Sequence, residues 1–132
     1  MFFARVPADA PAEYVQFWRF WEGRAYFECH EVLENLWRRE SGERKLFYHG
    51  LIHCAVALYQ VERRNAVGAN RQLVRARVKL SGFAPEFFGV KVNELLQEVE
   101  REVAPLERVL TAAQRASLGK LKQQLKFSLE NK

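Results

Sequence analysis

Apolar side chains recur at helical spacing from the start of the chain. Between Glu13 and Glu22 an aromatic face of Tyr14, Phe17, Trp18 and Trp21 predicts a first helix, which Gly23 ends. A second helix is predicted from about Arg24 to Glu40. At 100° per residue its apolar side chains fall on one broad arc, made of Tyr26, Cys29, Val32, Leu33, Leu36 and Trp37. We therefore expect Trp37 to be largely buried.

The next segment is apolar on nearly every side. Ser41 and Gly42 break the pattern, and a third helix is predicted from about Glu43 to Arg64. Such a helix belongs at the centre of a bundle. Asn65 suits the N-cap of a fourth helix, which ends at Ser81 and Gly82.

Two further helices complete the prediction. A stripe of Phe88, Val92, Leu95, Val99 and Val103 predicts a fifth helix that stops before Pro105. A sixth, weaker helix follows a capping box of Thr111 and Gln114, with Leu118, Leu121 and Leu125 on a narrow stripe. No strand is predicted, because no segment alternates with period two.

These elements predict the fold class: all-α, a compact multihelical bundle of five to six helices with a buried central helix. Residues 1–12 form an extended N-terminal lead, residues 13–104 the helical bundle domain, and residues 105–132 an accessory C-terminal helix. With 132 residues, of which 48% are hydrophobic, one domain can build its core without a disulfide framework.

Composition also indicates the cellular compartment of the protein. The two cysteines, Cys29 and Cys54, fit a reducing environment as small core residues. Arg5 and two prolines follow the short apolar start, so no signal peptide is predicted. No apolar run reaches the roughly 18 residues of a membrane span. We expect a cytoplasmic protein with no membrane partner.

Polar side chains gather at the edge of the second helix's apolar arc. His30, Glu34 and Trp37 lie within one patch. If the second and third helices form an antiparallel hairpin, position 30 lies opposite 54, which brings His53 toward His30 and Glu34. The predicted motif cluster consists of His30, Glu31, Glu34, Trp37 and His53.

Two interpretations of this cluster stay open. The favoured one is structural: His30, Glu34 and His53 are joined by hydrogen bonds that satisfy buried polar atoms, with no metal and no other cofactor. The alternative is a small-ligand site or a divalent transition metal site, with His30, Glu34, His49 and His53 as ligands, because imidazole and carboxylate suit such ions. The alternative would admit an enzyme, whose catalytic residues the sequence does not assign.

Several catalytic motifs are excluded by spacing. The zinc-protease motif needs a second histidine where this chain has Glu34. The di-iron bundle pattern needs a glutamate three residues before each histidine, and none is present. Cys29 and His30 are adjacent, so on a helix their side chains diverge by about 100° and predict no thiolate–imidazole pair.

A basic face is predicted on the fourth helix. Arg71, Arg75 and Lys79 are spaced one turn apart, and the chain carries a net charge of +5. Such a face could follow phosphates, which makes a nucleic-acid accessory protein a further alternative. No aromatic residues interleave with the stripe, so an ordinary solvated face is favoured and nucleic acid is not the expected partner. A protein partner or a homo-oligomer stays open.

The string YFECHEVLENLW, followed by HGLIHCAVALYQ, resembles domain of unknown function family 309. His30, Glu34 and Trp37 supply its His-x-x-x-Glu-x-x-Trp motif. The similarity extends through NAVGANRQLVRA and FAPEFFGVKVNELL, roughly from Tyr14 to Val103. The resemblance implies a multihelical bundle and no assigned activity.

This chain departs from the family pattern at two positions. Members typically have Gln-Gly-Leu-Ile-Gln where residues 49 to 53 are His-Gly-Leu-Ile-His here. Glutamine in relatives favours hydrogen bonding as the shared role, so the resemblance weakens the metal interpretation. We therefore expect a helical domain of unknown biochemical activity that serves as a structural or protein-interaction module.

Overall fold

The computed structural model describes residues 2–130, and α-helices dominate this part of the chain. Its helices are α1 (Ala12–Glu22), α2 (Tyr26–Arg39), α3 (Gly42–Glu62), α4 (Ala66–Leu80), α5 (Val92–Glu107) and α6 (Ala112–Glu130). A short 3₁₀ turn, Ser81–Phe83, follows α4. The prediction of an all-α bundle is confirmed.

Helix α3 lies at the centre of the bundle. It packs against α2 on one side and α4 on the other, and also contacts α5. Phe47, Tyr48, Leu51, Cys54 and Ala55 are fully buried within it. This burial follows from the sequence, because a helix that is apolar on every side must be covered on every side. The predicted central helix is confirmed.

Both predicted caps are present. The Asn65 side chain accepts a hydrogen bond of 2.9 Å from the Gly68 amide at the start of α4. Before α6, the amide of Thr111 donates to Gln114 Oε1 and the amide of Gln114 donates to Thr111 Oγ1, over 2.9 and 3.1 Å. This reciprocal pair is the predicted capping box.

The prediction for the start of the fifth helix is wrong, and so is the prediction of no strand. Residues Glu86–Phe87 (β1) and Val90–Lys91 (β2) form a two-stranded antiparallel ribbon, and α5 begins only at Val92. Phe88 and Gly89 make its turn with φ of +48° and +79°. Positive φ at both central residues suits the right-handed twist of a hairpin and prevents a helix there.

The far end of α5 also differs from the expectation. The helix continues through Pro105 and ends at Glu107. Proline near a helix C-terminus removes one backbone donor without preventing the last turn.

The N-terminal lead lies across the β-ribbon. The amide of Arg5 donates to the carbonyl of Gly89 over 2.8 Å. A Cβ atom on Gly89 would lie 1.8 Å from the Arg5 carbonyl oxygen, so a side chain at position 89 cannot be accommodated. The hydroxyl of Tyr14 donates to the carbonyl of Phe88, and Phe2 is buried in the core.

Helix α6 is the most superficial helix. It packs along α4, and none of its residues is fully buried. The division at residues 12 and 104 stays a prediction. Within residues 2–130, no helix has the length and apolar character needed to cross a bilayer.

The two cysteines lie in the core as expected. Both are free and buried, and Cys29 Sγ donates to the carbonyl of Phe17. Burial raises the pKa of each thiol to about 12, so neither forms a thiolate near neutral pH.

Candidate functional site

Two motif residues, His30 and Glu34, form a polar ladder with Arg38 on the outer side of α2. His30 Nε2 lies 2.7 Å from Glu34 Oε2, and their side chains are 32% and 28% exposed. The other oxygen of Glu34 accepts a hydrogen bond from Arg38, one turn further along. Glu31 is exposed beside them. Helical spacing alone creates this ladder, because residues four apart are surface neighbours.

A row of stacked rings lies between α2 and α3. The Trp37 and His49 ring centroids are 4.7 Å apart with an interplanar angle of 36°. His49 and His53, one helical turn apart, have centroids 4.4 Å apart at 32°. The ammonium of Lys45 lies 4.6 Å from the centre of the Trp37 ring. Trp37 is partly buried and packs against the core, so its indole is not solvent-exposed, in agreement with the expectation of a largely buried side chain.

Residues of α4 engage both imidazoles. Lys79 Nζ lies 2.8 Å from His53 Nε2 and 3.1 Å from His49 Nδ1. The remaining nitrogen of His53, Nδ1, lies 2.7 Å from Gln72 Oε1. Since an ammonium group only donates, His53 carries its proton on Nδ1 and donates it to Gln72. By the same reasoning His49 carries its proton on Nε2.

Burial and positive neighbours keep both imidazoles neutral. Burial is the largest cause of a pKa that is lowered to about 3 for His53 and to about 4 for His49. The charges of Lys79 and Arg75 contribute to both of these shifts, and Lys45 contributes to that of His49. Glu34 is close enough to oppose this effect on His49. Neutral rings can accept the lysine hydrogen bonds at physiological pH.

The predicted hydrogen bonds between His53 and the pair of His30 and Glu34 are not the ones that form. His53 is bonded to α4, whereas Glu34 is bonded to His30 and Arg38 within α2. The physical reason is that His53 lies on the side of α3 that faces α4, where two polar side chains meet it. Ring contacts link His53 through His49 to Trp37 of α2 instead.

The metal interpretation stays a prediction. Within residues 2–130, no three His, Cys, Asp or Glu side chains are placed to hold one ion. His49 and His53 each direct one nitrogen to Lys79. Metal analysis of the purified protein is the measurement that decides between the two interpretations.

A groove opens beside the ring row. It has a volume of about 390 Å³ and runs between the α2–α3 hairpin, the end of α4 and helix α6. Its lining residues are Trp37, Gly42, Lys45, Leu46, His49, Val78, Lys79, Leu125, Ser128 and Leu129. A second groove of about 460 Å³ shares Gly42, Leu46, Val78, Lys79 and Leu129 and continues toward Phe83.

Comparison with known proteins places the motif helices in a family. Residues 14–72 match the family model described as Domain of unknown function (DUF309). This segment belongs to the DUF309 family. The match confirms the resemblance seen in the sequence and contains α2, α3 and the first part of α4, including His53 and Gln72.

A curated relative extends the similarity beyond the DUF309 segment. The uncharacterized protein YpuF of Bacillus subtilis (strain 168) is 33% identical over 103 residues, which cover 75% of this chain. The chain spans only 59% of the length of that relative. No solved structure matches the chain significantly. The DUF309 family and this relative bring no assigned activity.

The α4 side of the candidate site is not predicted by the sequence pattern. The pattern does not single out Gln72, and it predicts that Lys79 lies on a solvated basic face with Arg71 and Arg75. Arg71 is exposed, whereas Arg75 and Lys79 are half-buried. One signal was available: Gln72 and Lys79 are seven residues apart, so they share one helix face, beside the buried line of Leu73, Ala76 and Leu80.

Proposed function

We propose that this DUF309 domain is a protein-interaction module that pairs with a second copy through the outer face of α2. The observation that carries the proposal is that the motif pair His30 and Glu34 is partly exposed on the outer side of α2, among exposed neighbours on the same helix face. We call this surface the α2 stripe: Phe27, Glu31, Asn35 and Arg38, which are exposed, together with the partly exposed His30 and Glu34.

The imidazole row supports a structural role for the inner residues. His53 is bonded at both nitrogens to α4, and His49 is stacked between Trp37 and His53. These contacts join α2, α3 and α4 and satisfy polar atoms that burial would otherwise penalise. The inner cluster therefore stabilises the frame on which the α2 stripe is displayed.

The α2 stripe contains two residues of the types enriched at interfaces, Phe27 and Arg38. Phe27 is 46% exposed and its ring lies 5.6 Å from that of Tyr59, which Arg63 covers. Aromatic residues and arginine are enriched where proteins bind one another. An exposed phenylalanine on a rigid helix is a suitable anchor for a partner surface.

Charge order along α2 favours a second copy as the partner. Glu28 and Glu31 lie toward the N-terminal end, whereas Arg38 and Arg39 lie at the C-terminal end. With the twofold axis perpendicular to α2, the two α2 helices run antiparallel, and Glu31 of each copy then faces Arg38 of the other. In that register Phe27 covers the exposed turn at Ser41 and Gly42 of the second copy.

Sedimentation equilibrium over a range of protein concentrations tests this proposal. We expect a monomer–dimer equilibrium that Phe27→Ser weakens at least tenfold. Arg38→Glu should also weaken the dimer, because it places two carboxylates opposite each other. The double variant Glu31→Arg with Arg38→Glu should restore it by exchanging the charges.

Val109→Ser is the matched control, because Val109 is 68% exposed and lies far along the chain from α2. It should leave the dimer unchanged. A protein that stays monomeric at all concentrations would refute the proposal, as would a dimer that the charge exchange does not restore.

A further inference from the structure

The motif pair of the α2 stripe presents two metal-ligating atoms at one place. His30 Nε2 and Glu34 Oε2 are 2.7 Å apart, and both side chains are partly exposed. Two ligands of a tetrahedral zinc ion lie roughly 3.4 Å apart, because Zn–N and Zn–O bonds are about 2.0 to 2.2 Å long. A small rotation of either side chain gives this separation. A neutral imidazole can carry its proton on Nδ1, which leaves Nε2 as a ligand.

One copy of the chain supplies only part of a metal site. Within residues 2–130, no third His, Cys, Asp or Glu side chain is placed to join this pair on one ion. A recess of about 160 Å³ at the pair is lined by His30, Glu31, Glu34, Asn35 and Arg38. All of these residues belong to the α2 stripe, so the recess lies on the face that meets the second copy. Because zinc prefers four ligands, the second copy has to supply the other two.

The register of the proposed dimer brings the two pairs together. Where Glu31 of each copy faces Arg38 of the other, the twofold axis passes between the positions of Glu34 and Asn35. Glu34 of both copies therefore lies beside the axis. His30 reaches toward the same place in each copy, because its Nε2 is within hydrogen-bond distance of Glu34. Two imidazole nitrogens and two carboxylate oxygens then surround one position.

The charge balance of the paired stripes favours a divalent cation at that position. Each stripe brings two carboxylates, Glu31 and Glu34, and one guanidinium, Arg38. The neighbouring Arg39 is directed to α1, where it bonds to Glu13. Two stripes therefore carry four carboxylates against two guanidiniums. One divalent ion neutralises this excess of two negative charges, which would otherwise oppose their burial in an interface.

The ion would also replace a contact made within the single chain. There Arg38 donates to Glu34, whereas the dimer requires Arg38 opposite Glu31 of the second copy. A metal ion that neutralises Glu34 leaves Arg38 to bond across the interface. Metal binding and dimer formation therefore strengthen each other.

We propose that a divalent transition-metal ion, with zinc as the best fit, binds on the twofold axis between two copies, held by His30 and Glu34 of each. Imidazole and carboxylate together are a donor set that suits zinc. The inference rests on the dimer proposed above and adds its ligand. It differs from a site at His49 and His53, whose imidazoles each direct one nitrogen to Lys79 within one chain.

Sedimentation equilibrium of the untagged full chain, in EDTA and in zinc sulfate, tests this inference. We expect zinc to strengthen the dimer at least tenfold. The measurement in EDTA tests the dimer alone. Calorimetric titration of the metal-free protein should give one zinc ion for two chains. Cobalt(II) in place of zinc should give the intense visible absorption of a tetrahedral site.

Two matched substitutions localise the ion. His30→Gln removes a ligand, so the dimer of this variant should have the same strength in EDTA and in zinc. His49→Gln removes an imidazole outside the α2 stripe and should keep the full response to zinc. Circular dichroism checks that both variants retain their helices.

The outcomes separate this inference from the dimer itself. Equal dimer strength of the original protein in EDTA and in zinc would overturn the metal site and leave the dimer standing. A chain that is monomeric under both conditions would overturn both proposals. One zinc ion for each chain, or a zinc response that His49→Gln abolishes and His30→Gln keeps, would overturn the shared site, because the ion would then lie within one copy.

Discussion

His53 shows how one residue couples burial to protonation. Its ring is held between Gln72 and Lys79, and burial lowers its pKa to about 3. An exposed histidine in the unfolded chain has a pKa of about 6.5. Between these values the unfolded chain binds a proton that the folded protein excludes. Protonation therefore favours unfolding in this range.

The free energy of unfolding should fall as the pH drops below about 6.5. Each proton bound only by the unfolded chain contributes at most about 1.4 kcal/mol per pH unit. His49 acts in the same direction, but its half-exposed ring contributes less because solvent screens it. Urea unfolding between pH 5 and 7.5 measures the slope. Above pH 7 these two residues should cause no dependence.

His53→Gln is the matched variant for this measurement. An amide can donate to Gln72 and accept from Lys79, but it does not titrate. The variant should remain folded with a shallower slope below pH 6.5. An unchanged slope would mean that His53 is not neutral in the folded protein.

Glu34 should contribute less to stability than a buried carboxylate. Its partners, His30 and Arg38, each lie one turn away on the same helix, and Glu34 is 28% exposed. Such pairs stabilise a helix by about 0.2 to 0.5 kcal/mol each. Glu34→Ala should therefore reduce the free energy of unfolding by less than about 1 kcal/mol.

Chemical denaturation of Glu34→Ala and Glu34→Gln checks this expectation. Both variants lose the charged pairs, so their costs should be similar. A loss of more than about 2 kcal/mol for Glu34→Ala would show that Glu34 satisfies buried groups.

At the scale of elements, the start of α4 depends on one side chain. Asn65 Oδ1 accepts from the Gly68 amide, and its Nδ2 donates to Gln60 at the end of α3. Asn65→Ala should cost about 1 kcal/mol, as removal of an N-cap commonly does. Thermal unfolding of this variant, with Asn93→Ala as an exposed control, measures the loss. An unchanged midpoint would show that the cap is dispensable.

The helices could be predicted from sequence because each is encoded locally. The apolar periodicity predicts which face of each helix is buried. Asn65 and Thr111 predict the N-termini of two helices, because a capping side chain bonds to amides of its own segment. The β-ribbon could not be predicted in this way. Phe88 continues the apolar stripe of α5 in sequence, yet its positive φ is set by the turn and by the lead packed above it.

The candidate site was only partly predictable for a related reason. His30 and Glu34 pair within one helix, so their spacing sufficed to place them together. The partners of His53 come from α4, and helical spacing within the α2–α3 hairpin contains no information about α4. Only the tertiary packing of α3 on α4 brings Gln72 and Lys79 to the imidazoles.

For the whole molecule, the net charge of +5 should not produce tight nucleic-acid binding. Of the basic face, Lys79 is directed to two imidazoles and Arg75 is half-buried, which leaves Arg71 exposed. We expect no submicromolar, salt-sensitive binding to duplex or single-stranded nucleic acid at physiological salt. Fluorescence anisotropy at several salt concentrations measures this.

The neutralised variant of Arg71, Arg75 and Lys79 provides the comparison. If the original protein bound tightly, with an affinity that fell steeply with salt and with this triple substitution, the basic face would be a phosphate-binding surface after all.

The hydrogen bond between Arg5 and Gly89 joins the N-terminal lead to a segment that is far from it in sequence. The lead can therefore open separately from the helices. Helices form from near neighbours, whereas the lead can dock only after the β-ribbon exists. Over residues 2–12 the lead is held by the Arg5–Gly89 hydrogen bond and the buried Phe2, far less than holds the helices together, so it should detach without unfolding them. In native-state hydrogen exchange, the Arg5 amide should therefore lose its protection well before the amides of α3 do.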